Sequence, residues 1–221
     1  MNTSFKYRPK TINEFVFATQ ELETELKRYT EGKSLLPLVL YGRYGTGKSL
    51  LADLIPKAID GENVNVNYVN AEDLNNANEV RKKFYRTSQF DKLFSNNGQK
   101  FNYTVVEEVN FDPKAKGALR VCLDKMAERE LFIFTTNEIE KIDGGLLSRA
   151  LALEVLPAPP DRFLSHAKRI LQSEGVVLDD SVLHAVLQTV YESDYDNRSY
   201  YKALDAIIDA KNDLSNFVKE Q

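Results

Sequence analysis

Leu38-Val39-Leu40-Tyr41-Gly42-Arg43-Tyr44-Gly45-Thr46-Gly47-Lys48-Ser49-Leu50 is the stretch from which the rest of the chain can be read. Four apolar residues make a short buried strand, and Leu50-Leu51-Ala52 open a helix. Between them stands G-x-x-x-x-G-K-[ST], which cradles phosphates when it joins a strand to a helix. Gly42, Gly45 and Gly47 allow backbone conformations that a Cβ forbids, so successive N–H groups can turn inward. The helix N-terminus adds its positive end. Lys48 brings a point charge to the β and γ phosphates of ATP, and the Ser49 hydroxyl is a ligand for Mg2+. Arg43, Tyr44, Thr46 and Leu50 complete the nucleotide-contacting loop. A glycine-rich turn without a ligand is the bland alternative, and the strand before and helix after weigh against it.

Working outward, strand-like runs alternate with helical patterns, which predicts a parallel sheet between helices. The runs are Leu38 to Tyr41, Val64 to Val69, Tyr103 to Val106, Leu131 to Thr135 and Leu151 to Val155. Helical stretches fall at roughly 20–31, 48–59, 78–95 and 112–128, the last started by Asp112-Pro113. At Leu156-Pro157-Ala158-Pro159-Pro160 the composition shifts to a stiff linker. Three amphipathic patterns follow, at 161–174, 180–192 and 198–219, with Gly175 closing the first and Asp179 or Asp180 capping the second. The expected organisation is an α/β core over 1–156 with five parallel strands, then a small all-helical lid over 157–221.

Two carboxylates, Glu107 and Glu108, leave the strand ending at Val106, at the edge where such sheets bind ligands. One of the two should hold Mg2+ through water, and the other can orient and deprotonate the attacking water. Asn137, after the strand ending in Thr135-Thr136, has an amide able to reach the γ-phosphate or its water. Solvated acids and a polar turn residue are the competing readings.

Composition bounds the function. The 221 residues are 43% hydrophobic and 28% charged, with a net charge of -4, which suits a globular protein and argues against coating nucleic acid by charge alone. Cys122 is the single cysteine, so neither a disulfide framework nor a cysteine-rich zinc site is open to the chain. It falls in the apolar pattern Leu119, Cys122, Leu123, Met126 and reads as core. The N-terminus lacks an apolar signal region, and no run approaches the ~20 apolar residues of a membrane span. The expected location is the cytoplasm, that of the host if the chain is phage-encoded. Arg81, Lys82, Lys83 and Arg86 make a basic run beside Phe84 and Tyr85, while Lys114 and Lys116 begin the helix after the acidic pair. These cations can contact DNA phosphates without reading sequence, or simply face solvent. His166 and His184 read as structural or exposed.

With these motifs placed, the chain resembles the AAA+ ATPases, and within them the clamp-loader subunits of the replication-factor-C and tailed-phage kind, from Phe5 to about Leu204. Tyr7-Arg8-Pro9-Lys10 and Phe15 resemble the family's N-terminal segment, which implies that Tyr7, Arg8 and Pro9 lie over the adenine. Val80-Arg81 opens a helix where family members track DNA, and Ala118-Leu119-Arg120 is similar to the helix after Walker B. Asn137 matches sensor 1. Leu147-Ser148-Arg149 resembles the element carrying an arginine finger, with Ala150 in place of the usual cysteine. Asp196-Asn197-Arg198 and Ala203-Leu204 resemble the sensor 2 segment. The resemblance implies an ATP-dependent ring of this chain or related subunits, a sliding clamp or other replication protein as partner, and DNA backbone contact. Arg149 would act in trans on a neighbour's γ-phosphate, and Arg198 would link the lid to the nucleotide.

The chain departs from that pattern in four places. Glu107 stands where the family has Asp, which moves the carboxylate by about one bond length and implies slow hydrolysis. Arg43-Tyr44 replace prolines, and Asn110 replaces a further acid. The family's helical collar does not follow the lid, so either the sequence is a fragment or its ring is held by AAA+ contacts alone. Competing readings are a helicase loader or other DNA-linked remodeller, and a ring subunit that binds nucleotide without hydrolysing it. A protein unfoldase is disfavoured because no glycine follows Phe84-Tyr85.

Overall fold

Residues 2–32, 36–71, 74, 76–84, 100–109, 113–126 and 130–219 are described by a computed structural model. By contact they form two units, one of residues 21–43 and 48–155, the other of residues 1–20, 44–47 and 156–221.

The first unit holds α2 (Gln20–Thr30, apart from its first residue), β1 (Leu38–Tyr41), α3 (Lys48–Asp60), β2 (Val66–Asn70) and a helix at 77–84, here α4. It continues through β3 (Asn102–Glu107), α5 (Pro113–Met126), β4 (Glu130–Thr136), α6 (Gly144–Leu147) and β5 (Leu151–Glu154). All five strands are parallel, in the order β2-β3-β4-β1-β5. A sheet covered on both faces calls for strands apolar on both sides, and β4, Glu-Leu-Phe-Ile-Phe-Thr-Thr, is buried throughout. β2 and β5, at the edges, are only partly buried.

The register places Val39, Val106 and Phe134 at one level. These three join Phe132, Leu119, Cys122, Leu123 and Met126 in one core cluster, so Cys122 packs as expected. Helix α3 lies against β1, β3 and β4, with Leu51, Leu54 and Ile55 almost wholly buried. Phe84 of α4 is also core, edge-on to Phe132 with ring centroids 5.4 Å apart, which removes it from any pore loop. Tyr85, Arg86, Asn110 and Asp112 lie outside the described residues.

The second unit opens with the short α1 (Thr3–Lys6) and packs α7 (Pro160–Ser173), α8 (Asp180–Asp194) and α9 (Asn197–Lys219) around Phe163, Ile170, Leu187, Tyr200 and Leu204. Phe163 stacks on Tyr200 at 4.4 Å. α7 begins at Pro160 itself, where the linker was expected to extend. Proline at the first helical position loses an N–H that would have no partner there anyway. Gly175 closes α7 at φ +70°, and Asp179 precedes α8 without a side-chain capping bond.

From sequence, residues 1–156 are expected in the core, whereas the contacts group residues 1–20 with the C-terminal helices. Thr3 explains this: its N–H donates to Asp205 Oδ1 at 3.0 Å and its hydroxyl to Tyr201 O at 3.1 Å. Tyr7 and Val16 pack on the helical core, and Glu174 accepts from Lys6 Nζ at 2.6 Å and Tyr7 OH at 2.5 Å.

Candidate nucleotide site

Parallel pairing puts every strand's C-terminal end at one sheet edge. β4 separates β1 from β3, so their ends stand about 10 Å apart, two interstrand spacings. At that edge β1 runs into Gly42, β3 ends at Glu107 and β4 hands over to Asn137. Lys48, Glu107, Glu108 and Asn137 are thus brought to one edge, whereas Arg149, two residues before β5 begins at Leu151, stands at the opposite edge of the same unit.

The phosphate loop has the backbone its glycines were expected to supply. Gly42, Gly45 and Gly47 have φ of +137°, +75° and +105°, outside the range L side chains favour. Close approach fixes them as well. A Cβ on Gly42 would lie 2.5 Å from the Val155 carbonyl oxygen. The loop tip, residues 44–47, clusters with the helical unit. There a Cβ on Gly45 would lie 1.8 Å from Asp196 Oδ1, and one on Gly47 would lie 2.7 Å from the Phe15 ring. Asn197, at the start of α9, donates from Nδ2 to Thr46 O at 3.0 Å and accepts from Ala158 N at 2.9 Å.

Lys48 is 8% exposed. Its Nζ donates to the carbonyls of Gly42 and Arg43, each at 2.8 Å, which curls the ammonium back over the loop it must serve. Ser49 is exposed and Glu107 half-buried, so a hydroxyl and a carboxylate, both hard oxygen donors, are open to a divalent cation. An ammonium, a hydroxyl and a carboxylate on elements that meet at one sheet edge are a donor set that fits a phosphate chain with Mg2+. Among the described residues no group of three or more His, Cys, Asp or Glu could hold a metal ion.

Glu108 is exposed at φ +53°, a left-handed conformation costly for a residue with a Cβ. Its N–H donates to Thr135 Oγ1 at 3.4 Å, and the next, Val109 N–H, to Thr135 O at 2.9 Å. The turn therefore belongs to the β3–β4 junction, and it swings the second carboxylate off the strand line. Asn137 is exposed and follows the buried Thr136 at the end of β4.

Arg149 is held by Asp124 of α5: Nε donates to Oδ1 at 2.6 Å and Nη2 to Oδ2 at 3.2 Å. Nη1 donates to Gly145 O at 2.9 Å and to Ser148 Oγ at 3.4 Å. The hydrogen bond from Arg149 holds the Asp124 carboxyl below its usual range, and the same bond raises Arg149. Arg198, in the other unit, is exposed, and its backbone N–H caps onto Asp196 Oδ1 at 2.7 Å. Pro9 is buried there and Arg8 exposed, with the Tyr7 hydroxyl engaged by Glu174.

Arg81 and Lys82 are exposed on α4, and Lys116 is half-buried on α5. Lys114 sits in the first turn of α5, its side chain outside the described residues, as is Arg86. No helix of the described residues is long and apolar enough to cross a membrane. Asp124, Thr135 and the Asn197 bridge escaped the sequence reading. Asn197 has no local signal, since its partner is 151 positions away. Asp124 had a faint one, four residues after Arg120 on the same helix face.

Residues 38–157 match the family described as ATPase family associated with various cellular activities (AAA). Among curated proteins the chain is similar to replication factor C small subunit 2 of Pyrobaculum arsenaticum, 29% identical over 189 residues, 83% of this chain and 56% of that one. It is also 29% identical over 202 residues to the replication factor C small subunit of Archaeoglobus fulgidus, 90% of this chain and 61% of the relative. The chain therefore spans less than two thirds of the length of these relatives. Among solved structures a RuvB variant of Thermotoga maritima shares the fold, with TM-score 0.64 and 15% identity over 96% of this chain and 67% of that one.

Proposed function

The chain belongs to the AAA family of ATPases, and from that premise we propose that it binds and hydrolyses ATP as a subunit of a clamp-loader-like ring acting on primed DNA. One observation carries the chemistry: the sheet order sets β4 between the strand feeding the phosphate loop and the strand ending in the acidic pair. Similarity to replication factor C small subunits supports the clamp-loading part.

In this reading Lys48 gives up the Gly42 and Arg43 carbonyls for the β and γ phosphates, while loop N–H groups hold the phosphate chain. Ser49 and Glu107 are the residues that would hold Mg2+. That ion, when bound, neutralises charge developing between the β and γ phosphates. Glu108 accepts the proton of the attacking water, and Asn137 orients that water. Arg198 contacts the same γ-phosphate from the lid. Arg149 reaches a neighbouring subunit's γ-phosphate, a contribution worth about three to five decades in rate. The exposed Arg81 and Lys82, with Lys114 and Lys116, meet the DNA backbone.

Nucleotide binding and turnover, measured with and without primed DNA and a sliding clamp, test the proposal. Primed DNA plus clamp is expected to raise turnover, and Lys48→Ala to weaken ATP binding at least about tenfold through the lost charge–phosphate contact. Unchanged affinity in Lys48→Ala would overturn the site. Stimulation by a helicase and not by a clamp selects the helicase-loader reading. Glu107 favours a second reading, a subunit that binds without hydrolysing, and Glu107→Asp separates the two. Faster turnover in that variant marks an active site slowed by the longer side chain.

A further inference from the structure

Two ion pairs join α5 to the segment that carries Arg149. Arg120 Nε lies 3.4 Å from Asp143 Oδ2, and Asp124 takes the Nε and Nη2 edge of Arg149. Arg120 and Asp124 are one helical turn apart on the same face of α5. Their partners bracket α6, six residues apart in sequence, with the charges crossed: base to acid at one end, acid to base at the other. Gly145, between them, leaves room for the upper pair. A Cβ there would lie 2.5 Å from Arg120 Cδ and 2.8 Å from Asp143 Oδ2.

Stability does not explain this arrangement. The Arg149 and Asp124 side chains are 39% and 53% exposed, and exposed pairs contribute little to folding. What the pair does fix is the orientation of a long, many-rotamer side chain. The guanidinium is gripped unevenly: one edge is held by a carboxylate, with one bond at 2.6 Å. The other end, Nη1, meets only neutral acceptors at 2.9 and 3.4 Å, which are weaker than charge-assisted bonds. An incoming phosphate therefore displaces Gly145 O and Ser148 Oγ first, while Asp124 keeps its hold.

We infer that Asp124 is a positioning residue for the reaction in the adjoining subunit: with the Arg120–Asp143 pair it clasps the Arg149 segment to α5, so that the Nη1 end is presented to that subunit's phosphate. The inference rests on the trans role of Arg149 proposed above. It also ties the finger to the helix that begins with Lys114 and Lys116, the cations proposed to meet DNA.

The test is a double-mutant cycle on the full chain assembled with ATP: Arg149→Ala, Asp124→Asn and the two combined. Asp124→Asn keeps the shape and removes the charge. It is expected to lower kcat about tenfold with KM for ATP unchanged, a cost in keeping with a slightly misplaced catalytic group. In the Arg149→Ala background it is expected to lower kcat no further, because Asp124 acts only through that side chain. Should parent turnover prove slow, the same cycle is read on assembly by sedimentation with ADP and aluminium fluoride, where Asp124→Asn weakens association only when Arg149 is present. Unchanged kcat and association in Asp124→Asn, or losses that add to those of Arg149→Ala, overturn the clasp alone. If Arg149→Ala itself leaves turnover and association intact, the trans reading falls and takes the clasp with it.

Discussion

At Glu108 chemistry and conformation pull against each other. Its φ of +53° is set by bonds from its own and the next N–H to Thr135, and a side chain there carries about 1–2 kcal/mol of strain. Strain of this kind gathers where a group must point in one direction. Glu108→Gly is expected to raise stability by about 0.5–1 kcal/mol, the relieved strain less glycine's extra chain entropy, while turnover is lost. Glu108→Ala, which keeps the Cβ, is expected to lose turnover without that gain. Urea unfolding alongside an ATPase assay reads both. A fall in stability for the glycine variant would mean that the carboxylate makes contacts worth more than the strain. The phosphate loop was legible in the sequence because its residues are contiguous and each glycine has one conformational task. The turn at Glu108 was not, since it depends on Thr135, a partner from another strand.

Among the elements, the strands could be read because burial on both faces leaves apolar runs that only a covered parallel sheet accepts. β1 falls where it was expected, and β4 and β5 are displaced only by a residue at their ends. Helix α7 shows a different limit, since proline there starts the helix it was thought to exclude. The same helix holds His166, 6% exposed, with Nε2 3.1 Å from Tyr201 OH and Nδ1 3.0 Å from Arg169 Nη2. Because an arginine can only donate, Nδ1 accepts and the proton resides on Nε2. Burial, then the Arg169 charge, lowers the His166 pKa to about 4. The unfolded chain thus binds a proton that the folded helices refuse. Stability is full above pH 6.5 and falls as pH drops toward 4, by roughly 3 kcal/mol in all. His166→Gln is expected to flatten that slope in urea titrations followed across the same pH range. An unchanged slope would assign the acid sensitivity to another group.

For the molecule as a whole, a trans-acting Arg149 makes the catalytic unit larger than one chain. Association is expected to require an ATP analogue, since in the proposed ring the phosphate that Arg149 seeks is supplied by a neighbour. Sedimentation with and without analogue reads this, and a lone monomer under saturating analogue and partners would sink the ring. DNA stimulation is expected to fall steeply with salt, and Lys116→Ala to lower the slope of log affinity against log salt by about one. A slope unaffected by that change would move DNA elsewhere on the surface.

The strand order also governs how the chain comes off a ribosome. Among the described residues β1 pairs with β4 and β5 and with no other strand, so the polymer must grow past residue 130 before β1 has a neighbour. At about 5–20 residues per second, that leaves an apolar strand and its attached glycine loop waiting for several seconds after emergence. Of the described strands, β2 and β3 alone can zip together in the meantime. Nucleotide affinity should therefore arise late and abruptly along a series of stalled nascent chains, at the length that releases β4 from the exit tunnel.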